Sequence, residues 1–259
     1  MYPTANSDRA ATAVARDSSP SCCLGGGAAN NRDEQAGPEH DSTSPRPEVS
    51  WRPTPVVLFI LVVTCTVEFV LIASDHGLIG NTRWRALAYQ NGAFWTGLLN
   101  NWRPNYPAQP WAMFVTYQGL HATLMHLLGN MLVLFLVGRI LVARVGQMWF
   151  AAIYLLSGIG GGLGFALLTE SAQPMVGASG ALFGIVGAWK WQDWFFYSQQ
   201  GFSRSSLVFD VIGLVLLNVV MWVVQDGQLA WEAHLGGFLT GWLAATLILP
   251  RSHAPPDEF

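Results

Sequence analysis

Between Pro55 and Leu249 the chain carries six apolar runs, at about 55–74, 121–138, 147–168, 178–198, 207–224 and 230–249. Each is close to the roughly 20 residues that a helix needs to cross a bilayer core. In lipid every backbone N–H and C=O must be satisfied internally, so six such runs leave a helical bundle as the expected architecture. The 259-residue chain is 51% hydrophobic and only 11% charged, against roughly 25% charged in soluble domains. We therefore expect an all-α, polytopic membrane protein of six spans.

The polar residues are unevenly placed. Residues 1–53 are rich in Ser, Pro, Gly, Ala, Asn and charge with little apolar periodicity, a composition expected of a disordered tail. The expected organisation is a tail at 1–53, a six-helix membrane domain at 54–250 and a short tail at 251–259. The first apolar run starts some fifty residues in and exceeds the length of a signal-peptide core, so no secretory leader is expected. A net charge of −3 gives no basic field for nucleic acid. Cys22, Cys23 and Cys65 have neither zinc spacing nor the even count of a disulfide framework. Cys22–Cys23 reads as a plain pair of tail residues, with acylation as the alternative.

Basic residues set the expected orientation. With a cytosolic N-terminus, ten of the 13 Lys and Arg residues fall inside, and Arg83, Arg85 and Arg103 fall outside. This bias favours both termini in the cytosol. The long segment 75–120 holds Trp84, Trp95, Trp102 and Trp111, rings suited to the membrane interface. On this layout the second, fourth and sixth spans begin on the outer side, which brings His121, His126, Ser179 and His234 to one depth.

Ser179 lies in Gly177-Ala178-Ser179-Gly180 and His234 in Ala233-His234-Leu235-Gly236-Gly237. A hydroxyl and an imidazole at the heads of two apolar runs make a candidate nucleophile and base. Pro174 upstream predicts a helix start near residue 177, whose unpaired N–H groups suit an anion. Small residues at spacings of three and four (Gly177, Gly180, Gly184 and Gly187; Gly237, Gly241 and Ala245) let helix backbones approach closely. The glycines between Ser157 and Gly164 read as packing alone. His126 and Asn130, four apart, share a helix face, and both can donate to an oxyanion. Three histidines also admit a metal reading, but His-x4-His lacks the His-Glu-x-x-His pattern and further ligands, so no metal is expected. Glu68 in the first span is expected to pair with Arg83 or Arg85. No buried Asp is evident to orient His234, so a two-residue dyad is the simpler proposal; Glu232 is expected at the interface.

These residues resemble the rhomboid family of intramembrane serine proteases over residues 55–249. The resemblance rests on His121-x4-His126-x3-Asn130, Gly177-Ala178-Ser179-Gly180 and Ala233-His234-x-x-Gly237-x3-Gly241, in that order on six spans. It implies Ser179 as nucleophile and His234 as general base. His126, Asn130 and the Ser179 N–H would form the oxyanion hole, with His121 a structural partner near the mouth of an outward-open cavity. Gly177 would clear space beside the serine, Gly180 and Gly237 would pack closely, and Phe183 would stack on the histidine. The family uses no metal or cofactor, and its substrates are single-pass membrane proteins. Where many members carry Trp-Arg before the first of these histidines, this chain has Ala112-Met113, with Trp84-Arg85 far upstream. The short loops fit a bacterial inner membrane. A non-catalytic binder of membrane-protein clients is the rival reading, and a transporter lacks the expected inverted repeat.

Overall fold

The computed structural model describes residues 54–248. The tails at 1–53 and 251–259, with Cys22 and Cys23, lie outside the described residues. The elements run α1 (Pro55–Asp75), α2 (Trp84–Gly92), α3 (Gln109–Thr116), α4 (Leu124–Val145), α5 (Gln147–Leu168), α6 (Ser179–Gln200), α7 (Ser205–Val224) and α8 (Trp231–Ile248). Single 3-10 turns lie at Thr96–Leu99 and Tyr117–Gly119. No β-strand occurs among the described residues, only one isolated bridge between Phe94 and Met175.

Local chemistry sets the helix ends. Pro55 opens α1 at a position where its missing N–H costs nothing. Thr123 caps α4, its hydroxyl accepting from the His126 N–H at 3.1 Å. The second span therefore starts at Leu124, three residues later than the apolar pattern predicts. It also runs on past Arg139 and Arg144 to Val145, because nothing before Gly146 breaks it. Gly146 stands at φ +80°, a conformation that only glycine adopts readily, and joins α4 to α5 without a loop.

Among the described residues four helices, α1, α4, α5 and α7, are long and apolar enough to cross a membrane. The 22-residue α6 and 18-residue α8 carry glycines, tryptophans and ionisable side chains instead. The reason is their position: α5, α6 and α8 pack on one another more extensively than any other helices, and these three form the centre of the bundle. A helix that faces other helices need not be lipophilic all round. Packing between α6 and α8 is backbone to backbone. A side chain at Gly237 would run into the Gly180 carbonyl, one at Gly241 into the Gly184 carbonyl, and one at Gly187 into the Phe238 carbonyl. The α5 glycines also pack closely on α8, Gly160 against the Thr240 side chain and Gly164 against the Glu232 carbonyl and the Gly236 backbone. Close approach of this kind is what holds helices together where lipid removes the hydrophobic drive.

Gly241→Val should therefore lower stability by about 1–3 kcal/mol, the usual cost of overpacking, because the obstructing atom is backbone and cannot rotate away. Gly213→Val on α7, where no atom lies within 4 Å of an added carbon, should change it little. Thermal midpoints of the two purified variants in one detergent test the contrast.

The remaining helices flank this centre. α1 packs on α4, with Val57, Leu127, Leu134, Leu141, Phe150 and Ile153 fully buried in the shared core. α7 touches α6 and little else, and Leu207 is its only buried residue. The segment 75–120 is folded, through α2, α3 and the two 3-10 turns, and leaves the Trp84, Trp102 and Trp111 rings exposed. Two hydrogen bonds of 3.0 Å between Phe94 and Met175 tie it to the strap before α6. Phe94 itself is buried edge-on against Phe114, Tyr117 and Phe165.

Candidate active site

Ser179 is the first residue of α6 and His234 lies in the first turn of α8. The glycine contacts between these helices bring the two side chains together: Ser179 Oγ and His234 Nε2 are 2.9 Å apart. Phe183, one turn along α6, stacks flat on the imidazole with ring centres 4.2 Å apart and planes 9° from parallel. His234 is 7% exposed, so its ring is held from two sides.

The third contact of that ring was not foreseen from sequence. Asn218 on α7 places its Oδ1 2.6 Å from His234 Nδ1. An amide in the middle of an otherwise apolar run was the available signal, but no motif surrounds it. Glu232 is 9% exposed, and the side-chain partners of His234 among the described residues are Asn218 and Ser179.

His126 and Asn130 face the start of α6 from α4. The backbone at Gly177 stands at φ +127°, and a side chain there would meet the His126 ring. Gly177 thus serves both the backbone conformation and the room for that imidazole. Asn130 donates its Nδ2 to His121 Nε2 at 2.9 Å. That requires an unprotonated Nε2, and burial together with the nearby His126 pulls the His121 pKa down to about 3. His121 is fully buried, edge-on to His126 with ring centres 5.0 Å apart. Gly177 N–H also donates to the Tyr117 carbonyl at 3.0 Å, and the Tyr117 hydroxyl donates to the Gly158 carbonyl at 2.7 Å. The turn that carries Ser179 is thereby pinned to α5.

The upstream Trp84-Arg85 turns out to reach this region through space. Arg85 on α2 bonds Glu68 of α1 at 2.8 Å and Asp75 at 2.5 Å. Its other contact is the His121 carbonyl, 3.2 Å away, which also accepts from the Tyr89 hydroxyl at 2.8 Å. Of the two partners expected for Glu68, Arg85 is the one that pairs. Arg85→Ala would leave the 1%-exposed Glu68 without its cation. Breaking a buried pair from one side costs about 3–5 kcal/mol, and the partial exposure of Arg85 favours the low end. Restoring neutrality with Glu68→Gln in the same chain should recover part of the loss, measurable as a double-mutant cycle in thermal stability.

No group of three or more His, Cys, Asp or Glu residues capable of holding a metal occurs among the described residues. What is gathered is a hydroxyl, an imidazole aligned on it, and hydrogen-bond donors at a helix start, the elements of nucleophilic acyl transfer.

The Rhomboid domain profile matches residues 107–251. RHOMBOID-like protein 1 of Arabidopsis thaliana is 34% identical over 144 residues, 54% of this chain and 35% of its own length. YdcA of Bacillus subtilis is 24% identical over 197 residues, 76% of this chain and 90% of its own. The rhomboid protease GluP of the same bacterium is 30% identical over 145 residues, 56% of this chain and 27% of its own. The chain spans less than half the length of the Arabidopsis relatives it matches. The matched domain runs from before His121 to beyond Gly241 and covers more than half of the sequence; with its long apolar helices, this integral membrane protein belongs to the rhomboid family.

Proposed function

We propose that this protein is an intramembrane serine endopeptidase that cleaves membrane-anchored substrates through Ser179 and His234. The observation that carries the reading is the 2.9 Å contact between Ser179 Oγ and His234 Nε2. His234 takes the hydroxyl proton as Oγ attacks the scissile carbonyl. The tetrahedral oxyanion is received by the Ser179 N–H with Asn130 and His126. As the C–N bond breaks, the same imidazole returns the proton to the leaving amine. Water then attacks the acyl-enzyme, loses its proton to His234, and releases the new carboxylate and Ser179.

The substrate class follows from where the pair sits. Ser179 and His234 head two of six proposed spans, α1 and α4–α8, in a domain of residues 54–250. Both termini would be cytosolic, and the cavity would open outward. The peptide reaching such a site is a single-pass membrane segment, locally unwound, since a helix with all its backbone bonds made cannot present a carbonyl to Oγ. Neither metal nor cofactor enters the scheme.

The test is incubation of the lipid-reconstituted full chain with a labelled single-span substrate, with product ends mapped by mass spectrometry. A cut inside the span, near its outer end, is the expected outcome. Tight binding of substrate with no product would favour the rival reading, a non-catalytic binder of membrane-protein clients.

A further inference from the structure

We propose that Asn218 of α7 is a positioning residue for His234, fixing both the orientation and the tautomer in which the imidazole faces Ser179. This rests on the Ser179–His234 reading above and extends the site to a third helix.

The orientation of the amide is settled by its own bonds. Asn218 Nδ2 donates to the Leu214 carbonyl one turn back, at 2.9 Å. Its Oδ1 is thereby the atom turned to His234 Nδ1, at 2.6 Å. A carbonyl oxygen can only accept, so Nδ1 must be the protonated nitrogen. The lone pair is then on Nε2, 2.9 Å from Ser179 Oγ, which is where a base needs it. Phe183 stacking fixes the plane of the ring but not which of its two edges faces Ser179. A half-turn about the Cβ–Cγ bond would keep the stack and present ring carbon to Ser179. The bond to Asn218 separates these two states.

The surroundings argue against a general packing role. Leu207 is the only buried residue of α7, and most of the helix is apolar and exposed. An amide is unfavourable in such a run unless it is bonded, and here both ends of it are. Other groups around the imidazole do not duplicate the bond: Ser179 takes Nε2, Phe183 offers only its face, and Asn218 takes Nδ1.

The experiment uses the reconstituted full chain with Asn218→Leu and Asn218→Asp, and Ser179→Ala and His234→Ala as references. Leucine fits an apolar span and removes the acceptor, whereas aspartate keeps an oxygen for Nδ1. Two quantities are read: kcat and KM on a single-span substrate, and the rate at which a fluorophosphonate labels Ser179. Asn218→Leu is expected to lower kcat and the labelling rate together by about 100-fold, the lower end of what a general base contributes, with KM within twofold. Asn218→Asp is expected to recover most of that loss. Unchanged kcat and labelling in Asn218→Leu would overturn the proposal, as would an aspartate variant no better than leucine. In both cases, dependence on Ser179 and His234 would stand. Cleavage persisting in Ser179→Ala would instead remove the reading on which the proposal rests, and the proposal with it.

Discussion

Ser179→Ala is expected to lower kcat by about 10⁴-fold or more, with KM little changed, and His234→Ala to do the same. The double variant should be no worse than either single one, because a nucleophile and its base act as a unit and their losses do not add. The argument is local. Oγ has one imidazole nitrogen within bonding reach, and without it the hydroxyl must give up its proton to water in a site buried among helices. Without the hydroxyl, the imidazole has no reacting atom to serve. Both side chains lie at helix starts whose spacing is set by Gly180 and Gly237 rather than by their own contact, so either alanine variant should fold normally. Folding measured alongside kcat separates lost chemistry from lost structure.

The second large effect concerns charge that exists only in the transition state. Asn130→Ala and His126→Ala are each expected to lower kcat by about 10²–10³-fold, as removal of an oxyanion donor does, again with KM nearly unchanged. Asn130 is 7% exposed and has one amide hydrogen on His121 Nε2, which leaves the other for the oxyanion. Because His121 holds the amide rather than touching the reacting atoms, His121→Ala should cost less than Asn130→Ala. A ranking with His121→Ala the most damaging would exchange their roles. Steady-state kinetics on one substrate decide between the two rankings.

Much of this arrangement was legible in the sequence because lipid makes polar residues conspicuous. Ser179 and His234 stand out at the heads of apolar runs, and the glycine spacing in the fourth and sixth runs foretold that the two helices would touch. Six helices of 18–22 residues lie where the apolar runs are, and for four of them, α1, α4, α5 and α7, length and apolar composition alone suffice for a membrane crossing. Less could be read where the signal is short or non-local. α2 and α3, of nine and eight residues, are too brief for a clear period, so 75–120 read as one segment. The apolar run stops before Arg139, but a helix ends only where backbone chemistry ends it, here at Gly146. Arg85 acts on His121 from 36 residues away, a contact that no spacing rule encodes. Asn218 was passed over for the opposite reason, being a single amide with no neighbours in sequence to mark it.

The central claim is that the Ser179 hydroxyl is a nucleophile made reactive by the His234 imidazole. Treatment of the reconstituted protein with a fluorophosphonate, followed by peptide mapping, tests it most directly. The account predicts one adduct, on Ser179, absent in both His234→Ala and Ser179→Ala. An adduct on another residue, or labelling of Ser179 at the native rate in His234→Ala, would contradict it.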